Sequence, residues 1–213
     1  MKLPLLYPIL DSALLQSRDC SLEVAAAAIL DAGARILQIR HKGHWPRALF
    51  EQACQVKLLC DQTGATLIVN DRADIALLLG AGLHVGQDDI RPADARRLIG
   101  LDAVLGYSTH NAEQLAAAVD EPATYLALGP MFPTQSKLNP DPVVGVDRLR
   151  AWRHLTSKPL VAIGGITRLN ARSVLEAGAD SVAIIGDLFP AECSAASIRE
   201  RMRDWQRTMD PHE

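Results

Sequence analysis

Residues 31–39 read Asp31-Ala-Gly-Ala-Arg-Ile-Leu-Gln-Ile39, and residues 176–185 read Glu176-Ala-Gly-Ala-Asp-Ser-Val-Ala-Ile-Ile185. In each stretch a helical segment ends at a glycine that can adopt a left-handed φ, and a short apolar run follows at once. A shorter version, Gly80-Ala-Gly82, precedes Leu83–Val85. The helix-to-strand half of a βα unit therefore occurs three times, which favours a parallel sheet with right-handed crossovers.

Outward from these stretches, apolar runs alternate with helical segments along the whole chain. Eight runs are rich in Val, Ile and Leu, as strands covered on both faces should be: Leu5–Leu10, Ile36–Ile39, Thr66–Val69, Gly82–Val85, Ala103–Tyr107, Tyr125–Leu128, Leu160–Ile163 and Ser181–Ile185. Eight such units predict one (β/α)8 TIM barrel, a single domain spanning residues 1–213. A doubly wound open sheet is the alternative.

Several polar residues indicate where helices begin. Ser21 and Asn111 are placed to cap helices, and Asn170 lies at the start of another. One further helix presents an apolar face at helical spacing, formed by Leu49, Ala53, Val56 and Cys60. Pro8 lies inside the first apolar run. Because a closed barrel has no edge strand to accommodate a proline, we expect the first strand to start late.

Charge and composition exclude several classes of protein. The net charge is −3 and the basic residues are scattered, which argues against nucleic-acid binding. The apolar runs are too short to span a bilayer, and the N-terminus lacks a signal-peptide core. The four cysteines form no C-x-x-C pair, so we expect reduced thiols in a cytoplasmic protein. The oligomeric state is not readable from the sequence.

Polar residues cluster where the predicted strands end, which is where barrels carry their chemistry. Arg40 and Lys42 follow the second strand on one side of an extended segment, and with Lys137 they could clamp a diphosphate. Solvated surface charge is the alternative. Asp71 and Asp89 end neighbouring strands and suit a Mg²⁺ site completed by phosphate oxygens. Alternatively, Asp71 caps the next helix, and Asp88 competes with Asp89 as a ligand.

The later strands are followed by groups suited to a second anion. Residues 134–137, Thr-Gln-Ser-Lys, offer hydroxyls and amides, although a flexible loop is the alternative. Gly164-Gly165 and Ile185-Gly186 could present backbone N–H groups to a phosphate, or the glycines could serve only tight turns. His84 could contact substrate or be structural. Ser108 places a hydroxyl near the same rim.

Taken together, these motifs resemble those of the thiamine-phosphate synthase family. The resemblance runs from about Leu6 to Phe189, and some motifs are shared with a sibling family of thiazole tautomerases. The motifs are Gln38-x-Arg40-x-Lys42, Val69-Asn-Asp71, His84-Val-Gly-Gln-Asp-Asp89, Gly106-x-Ser-x-His110, Leu128-Gly-Pro-x-Phe-Pro-Thr-x-Ser-Lys137 and Ile163-Gly-Gly-Ile166.

The resemblance implies condensation of an aminopyrimidine methyl diphosphate with a thiazole phosphate, giving thiamine phosphate and pyrophosphate. It implies Mg²⁺ at Asp71 and Asp89, and a dissociative reaction in which no protein nucleophile takes part. The pyrimidine diphosphate would be held by Gln38, Ile39, Arg40, His41, Lys42, Asn70, Ser108 and Lys137, of which Arg40, Lys42, Ser108 and Lys137 are the expected catalytic residues. The thiazole phosphate would be held by Thr134, Gln135, Ser136, Gly165, Ile185 and Gly186.

Two positions depart from the family pattern, and three other functions are alternatives. Arg72 follows Asp71 where some members have a second acid, and Gly186 stands where some have serine. A thiazole tautomerase would need neither the metal carboxylates nor the diphosphate clamp. A Schiff-base aldolase would need a desolvated inner-strand lysine, whereas Lys42 and Lys137 suit anion binding. A non-catalytic barrel that binds thiamine phosphate is the non-enzyme alternative.

Overall fold

The computed structural model describes residues 2–134 and 141–209. Eight parallel strands close into a barrel in chain order, each hydrogen-bonded to the next and the last to the first. They are β1 (Leu6–Asp11), β2 (Ile36–Arg40), β3 (Thr66–Asn70), β4 (Gly82–Val85), β5 (Leu105–Thr109), β6 (Tyr125–Leu128), β7 (Leu160–Ile163) and β8 (Ser181–Ile184). The predicted (β/α)8 barrel is confirmed, and the open sheet is wrong.

Helices cover the barrel between the strands. They are α1 (Ser12–Gln16), α2 (Leu22–Asp31), α3 (Arg47–Thr63), α4 (Ala73–Leu79), α5 (Pro92–Ile99), α6 (Ala112–Ala117), α7 (Gly145–Trp152), α8 (Ala171–Glu176) and α9 (Ala195–Met209). The predicted caps are confirmed: the side chains of Ser21 and Asn111 accept hydrogen bonds from Val24 N and Gln114 N. Asn170 is the residue before α8, as predicted.

Two strand predictions are wrong. β5 begins at Leu105, two residues later than predicted, because the Arg96 guanidinium holds the carbonyl of Ala103 in the preceding loop at 2.6 Å. β1 does not start late, since it runs from Leu6 with Pro8 inside it. Pro8 is the last residue of β1 in register with β8, and pairing with β2 begins at the next residue. The proline thus sits where the strand changes partners.

The core has two layers, separated by the strands. Outward-facing strand residues and the helices form a large apolar layer. A smaller cluster fills the barrel interior, formed by Leu3, Tyr7, Ile9, Ile36, Ile68, Tyr125, Ala127, Val161 and Ala183. Because these side chains plug the barrel from below, the open space lies at the carboxyl ends of the strands. Within the described ranges, no helix is long and apolar enough to cross a bilayer.

Candidate active site

A cavity of about 690 Å³ opens at the carboxyl ends of the strands. Its walls come from every strand of the barrel or from the loop that follows it. Most of the sequence-predicted site residues line it, namely Gln38, Arg40, Lys42, Asn70, Asp71, Asp89, Ser108, Thr134, Gly165, Ile185 and Gly186. Residues from seven separate chain segments therefore meet around one space large enough for two small molecules.

Two predicted residues do not line the cavity. Ile39 is fully buried in the outer layer, because neighbouring residues of a strand point to opposite faces and Gln38 and Arg40 take the inner one. The His41 ring hydrogen-bonds Ser12 Oγ at 2.7 Å, away from the cavity. Neither side chain faces the cavity, and the expected role of Ile39 and His41 in holding the pyrimidine diphosphate stays a prediction. Three more predictions, Gln135, Ser136 and Lys137, lie outside the described residues.

One part of the rim, which we call the carboxylate side, is formed by Arg40, Lys42, Asp71 and Asp89. Lys42 Nζ lies 2.5 Å from Asp71 Oδ2, and Arg40 forms an ion pair with Asp11. Asp71 itself adopts a left-handed φ of 65° at the end of β3. The alternative that Asp71 caps α4 is wrong, since the capping position belongs to the next residue and no side chain bonds the helix end.

The two predicted metal ligands lie close together. Burial raises the pKa of Asp71, and the neighbouring Asp89 raises it further, while Lys42 opposes both effects. Asp89 Oδ2 accepts a hydrogen bond from Gly86 N at 2.7 Å, which fixes that carboxylate. Among the described residues, no group of three or more acidic, histidine or cysteine ligands occurs. Two carboxylates fit Mg²⁺, which often takes one or two from the protein and its other oxygens from phosphate and water.

Arg72, the departure from the family pattern, does not alter the carboxylate side. Its guanidinium pairs with Asp74 on α4, with Nε 2.8 Å from Oδ1. It is absent from the cavity wall. The extra positive charge is therefore already neutralised outside the cavity.

Beneath the carboxylate side, five residues form a continuous line of hydrogen bonds that we call the polar chain. In order along the line they are Gln38, Tyr7, Tyr125, His84 and Ser108. Burial lowers the pKa of His84 to about 4, so its ring is neutral at physiological pH. Gly106 makes the arrangement possible, since a Cβ there would lie 2.3 Å from His84 Nδ1.

Asn70 contributes a donor without an acceptor. Its side chain is 6% exposed and lines the cavity. Within the part of the chain that the structure describes, its buried Nδ2 has no hydrogen-bond partner. A buried donor of this kind is unsatisfied until water or a ligand supplies an acceptor.

The opposite part of the rim, which we call the glycine side, is formed by Gly164, Gly165, Ile185 and Gly186. Gly164 and Gly165 have φ values of 98° and 66°. A Cβ on Gly165 would lie 2.6 Å from the carbonyl oxygen of Pro133, so only glycine fits this contact. Arg168 is not free for ligand here, because its guanidinium pairs with Asp187 at 3.2 Å and Asp204 at 3.3 Å.

Sequence reasoning missed three residues of the site. Asp11, which pairs with Arg40, is the last residue of β1, and searching the end of that strand would have found it. Tyr7 and Tyr125 lie on the inner face of their strands, and strand alternation indicates that face but not their mutual contact.

The chain matches the model of one protein family and is similar in sequence to members of that family. The family model described as thiamine monophosphate synthase matches residues 6–188. The chain is 50% identical over 198 residues to the thiamine-phosphate synthase of Koribacter versatilis, covering 89% of this chain and 90% of that protein. It is 41% identical over 196 residues to the thiamine-phosphate synthase of Chloroflexus aurantiacus, covering 92% of this chain and 89% of that one.

Solved structures give the same picture. Thiamine phosphate pyrophosphorylase from Pyrococcus furiosus matches with a TM-score of 0.81 and 29% identity, covering 96% of both chains. A structure described as native KDPGal matches with a TM-score of 0.71 and 19% identity, covering 98% of this chain and 95% of the other. At that identity the second likeness shows the barrel fold alone.

Proposed function

The chain belongs to the thiamine monophosphate synthase family and is a transferase of thiamine biosynthesis; from that premise we propose the substrates and mechanism of its reaction. It joins an aminopyrimidine methyl diphosphate to a thiazole phosphate, releasing pyrophosphate and thiamine phosphate. The observation that carries this proposal is one cavity with two chemically different rims, the carboxylate side and the glycine side, each of which suits an anion. Two phosphorylated substrates can bind there next to one another.

The carboxylate side holds the diphosphate. The Arg40 guanidinium can bind two phosphate oxygens, and Lys42 supplies a second positive charge at the cavity edge. Lys42 contacts Asp71, so it stands next to the proposed metal ligands and to the proposed position of the leaving group. Lys137, which lies outside the described residues, is a further cation expected from the sequence.

Asp71 and Asp89 would hold Mg²⁺ at this rim. When bound, the ion stabilises negative charge on the departing pyrophosphate. The closeness of two partly buried carboxylates supports this assignment, because burial and the neighbouring Asp89 raise the pKa of Asp71, and a bound cation would offset both effects.

The reaction is dissociative. The C–O bond to the methylene carbon breaks, and its electron pair leaves with pyrophosphate. The methylene cation that remains is stabilised by the aminopyrimidine ring, and the lone pair of the thiazole nitrogen then forms the new C–N bond. Apolar residues on the cavity walls, among them Ile9, Val161 and Ile163, limit the access of water to this cation. No protein nucleophile is needed.

The glycine side holds the thiazole phosphate. Backbone N–H groups near Gly165 and Gly186 can donate to phosphate oxygens without placing a side chain between the two substrates. Thr134 lines the same region, and Gln135 and Ser136 are expected there from the sequence. Holding both reactants in line supplies much of the rate, because it replaces a bimolecular encounter by a positioned one.

A single assay tests the proposal. We expect purified protein, both precursors and Mg²⁺ to give thiamine phosphate and pyrophosphate in equal amounts, and we expect excess chelator to abolish turnover. A protein that binds both precursors but releases no pyrophosphate would contradict the enzymatic proposal. Undiminished turnover in chelator would contradict the metal assignment alone.

A further inference from the structure

The polar chain connects one side of the cavity floor to the other through Tyr7, Tyr125 and His84, to which the proposed reaction assigns no role. Four hydrogen bonds of 3.0, 2.8, 2.9 and 2.8 Å link its members in order: Gln38, Tyr7, Tyr125, His84 and Ser108. All but the last are at most 8% exposed. A line of buried hydroxyl, imidazole and amide groups of this length fixes where hydrogen atoms lie.

The direction of donation must be the same along the whole line. Each hydroxyl has a single hydrogen, so a hydroxyl that donates to one neighbour accepts from the other. His84 is buried, and its ring nitrogens contact two hydroxyls and no carboxylate, so the ring is neutral with one N–H. The hydrogens therefore point either all towards Ser108 or all towards Gln38.

The side-chain amide of Gln38, at one end of the polar chain, selects between these two directions of hydrogen-bond donation. Gln38 Nε2 donates to the Tyr7 hydroxyl, which leaves the Tyr7 hydrogen for Tyr125. Tyr125 then donates to His84 Nδ1, and the ring carries its hydrogen on Nε2 and donates to Ser108 Oγ. The Ser108 hydrogen is left over. Within residues 2–134 and 141–209, no side chain or carbonyl hydrogen-bonds this hydroxyl apart from His84.

We propose that the polar chain makes Ser108 a hydrogen-bond donor towards the cavity, with His84, Tyr125 and Tyr7 as positioning residues that select a ring nitrogen in the substrate. The inference rests on the proposed function, in which that ring is the aminopyrimidine. A heterocycle with an N–H at this position would face a second donor and would be rejected, because one of the two buried donors would stay unsatisfied.

The tautomer of His84 tests this order directly. In protein labelled with ¹⁵N-histidine, without substrate and at neutral pH, we expect NMR to show hydrogen on Nε2 and none on Nδ1. Hydrogen on Nδ1, or exchange between both nitrogens, would overturn the inference. Because no substrate is present, the inference can fail while synthase activity stands, and it can succeed in a protein that makes no thiamine phosphate.

A second measurement links the direction of hydrogen-bond donation along the polar chain to substrate binding. Tyr125→Phe keeps the ring but removes the hydroxyl that donates to His84. We expect mixed tautomers, a KM for the pyrimidine diphosphate raised by about fivefold to tenfold, and an unchanged KM for the thiazole phosphate. The matched control is Tyr107→Phe on the outer face of β5, whose hydroxyl contacts Gln87 and not the polar chain; it should leave the His84 tautomer unchanged.

The variant also has a clear negative outcome. A single unchanged tautomer and an unchanged KM in Tyr125→Phe would overturn the inference, since the hydroxyl would then have no influence on His84 or on the substrate. If Tyr125→Phe does not fold, the tautomer of the wild-type protein decides the question alone.

Discussion

The carboxylate side of the cavity is built from charged side chains, whereas the glycine side is built from backbone. Lys42 and Asp71 lie in contact on the first, with Asp89 close by. On the second, Gly164 and Gly165 leave no room for a Cβ, and the nearby Arg168 is neutralised by two aspartates. Both rims suit phosphate groups, but they offer different kinds of interaction.

The difference matches what each substrate must do in the proposed reaction. The diphosphate gains charge as its C–O bond breaks, and side-chain cations with a metal can respond to that change. The thiazole phosphate keeps its charge throughout, so fixed N–H dipoles suffice to hold it. In the proposed reaction, charged side chains on one rim of the barrel serve the group that leaves, and backbone groups on the other rim serve the group that stays.

The largest expected effect comes from Asp71→Asn. Asparagine tolerates the left-handed φ of this position, so the fold should persist while the metal ligand loses its charge. We expect kcat/KM to fall by about a hundredfold or more, measured across a Mg²⁺ titration. Asp74→Asn, three residues away and paired with Arg72, is the matched control and should keep full activity. Equal activity in both variants would contradict the account.

The free energy of unfolding should depend on pH through His84 of the polar chain, beneath the carboxylate side. Burial lowers the folded-state pKa of His84 from 6.5 to about 4, so unfolded protein binds more protons in that range. Stability contributed by neutral His84 is present above pH 6.5 and is lost as the pH falls towards 4, by about 3 kcal/mol. Denaturant unfolding across this range should show a shallower pH slope in His84→Gln than in wild type.

The control for this slope is His154→Gln, at an exposed histidine. It should retain the wild-type dependence of unfolding free energy on pH. Identical slopes for wild type and His84→Gln would mean that His84 does not remain neutral in the folded protein.

Gly165→Ala tests the role of the glycine side. The added Cβ meets Pro133 O at 2.6 Å in a left-handed backbone, so we expect a loss of about 2 kcal/mol in unfolding free energy. The KM for the thiazole phosphate should rise while that for the pyrimidine diphosphate stays unchanged. Gly64→Ala shares the left-handed φ but meets no atom within 4 Å, so it should lose only about 1 kcal/mol and keep both KM values. A rise confined to the diphosphate KM would break the comparison.

The smallest effect is expected from Gly186→Ser, which adds a hydroxyl where some family members have one. No atom lies within 4 Å of a Cβ at this position. We expect stability to change by less than about 0.5 kcal/mol and the KM for the thiazole phosphate to fall by about threefold. A large rise in that KM would mean that the site requires glycine itself.

The fold was predictable because the residues that end its helices and precede its strands form a local sequence pattern. Gly33, Gly80 and Gly178 all have positive φ between a helix and the next strand, as the repeated stretches indicate. The errors arose from one side-chain contact and from the pairing of strands. The start of β5 depends on the bond from Arg96 to the Ala103 carbonyl, and the tolerance of Pro8 depends on where β1 exchanges β8 for β2. Neither is visible in the pattern of apolar residues.

The site was predictable only as far as strand ends identify it. That rule located both rims, but Ile39 was included although alternation along β2 directs it outwards. The polar chain had no sequence signal, since Tyr7 and Tyr125 are 118 residues apart and meet only because the barrel closes. Side chains that meet across the barrel interior need the three-dimensional structure.

The central claim is that charge and metal hold one phosphate group while backbone holds the other. Calorimetric titration of inorganic pyrophosphate and of the thiazole phosphate, each with and without Mg²⁺, tests it most directly. We expect Mg²⁺ to raise the affinity for pyrophosphate by about tenfold or more and to leave the affinity for the thiazole phosphate unchanged. An equal response of both ligands to Mg²⁺, or a response of the thiazole phosphate alone, would contradict the account.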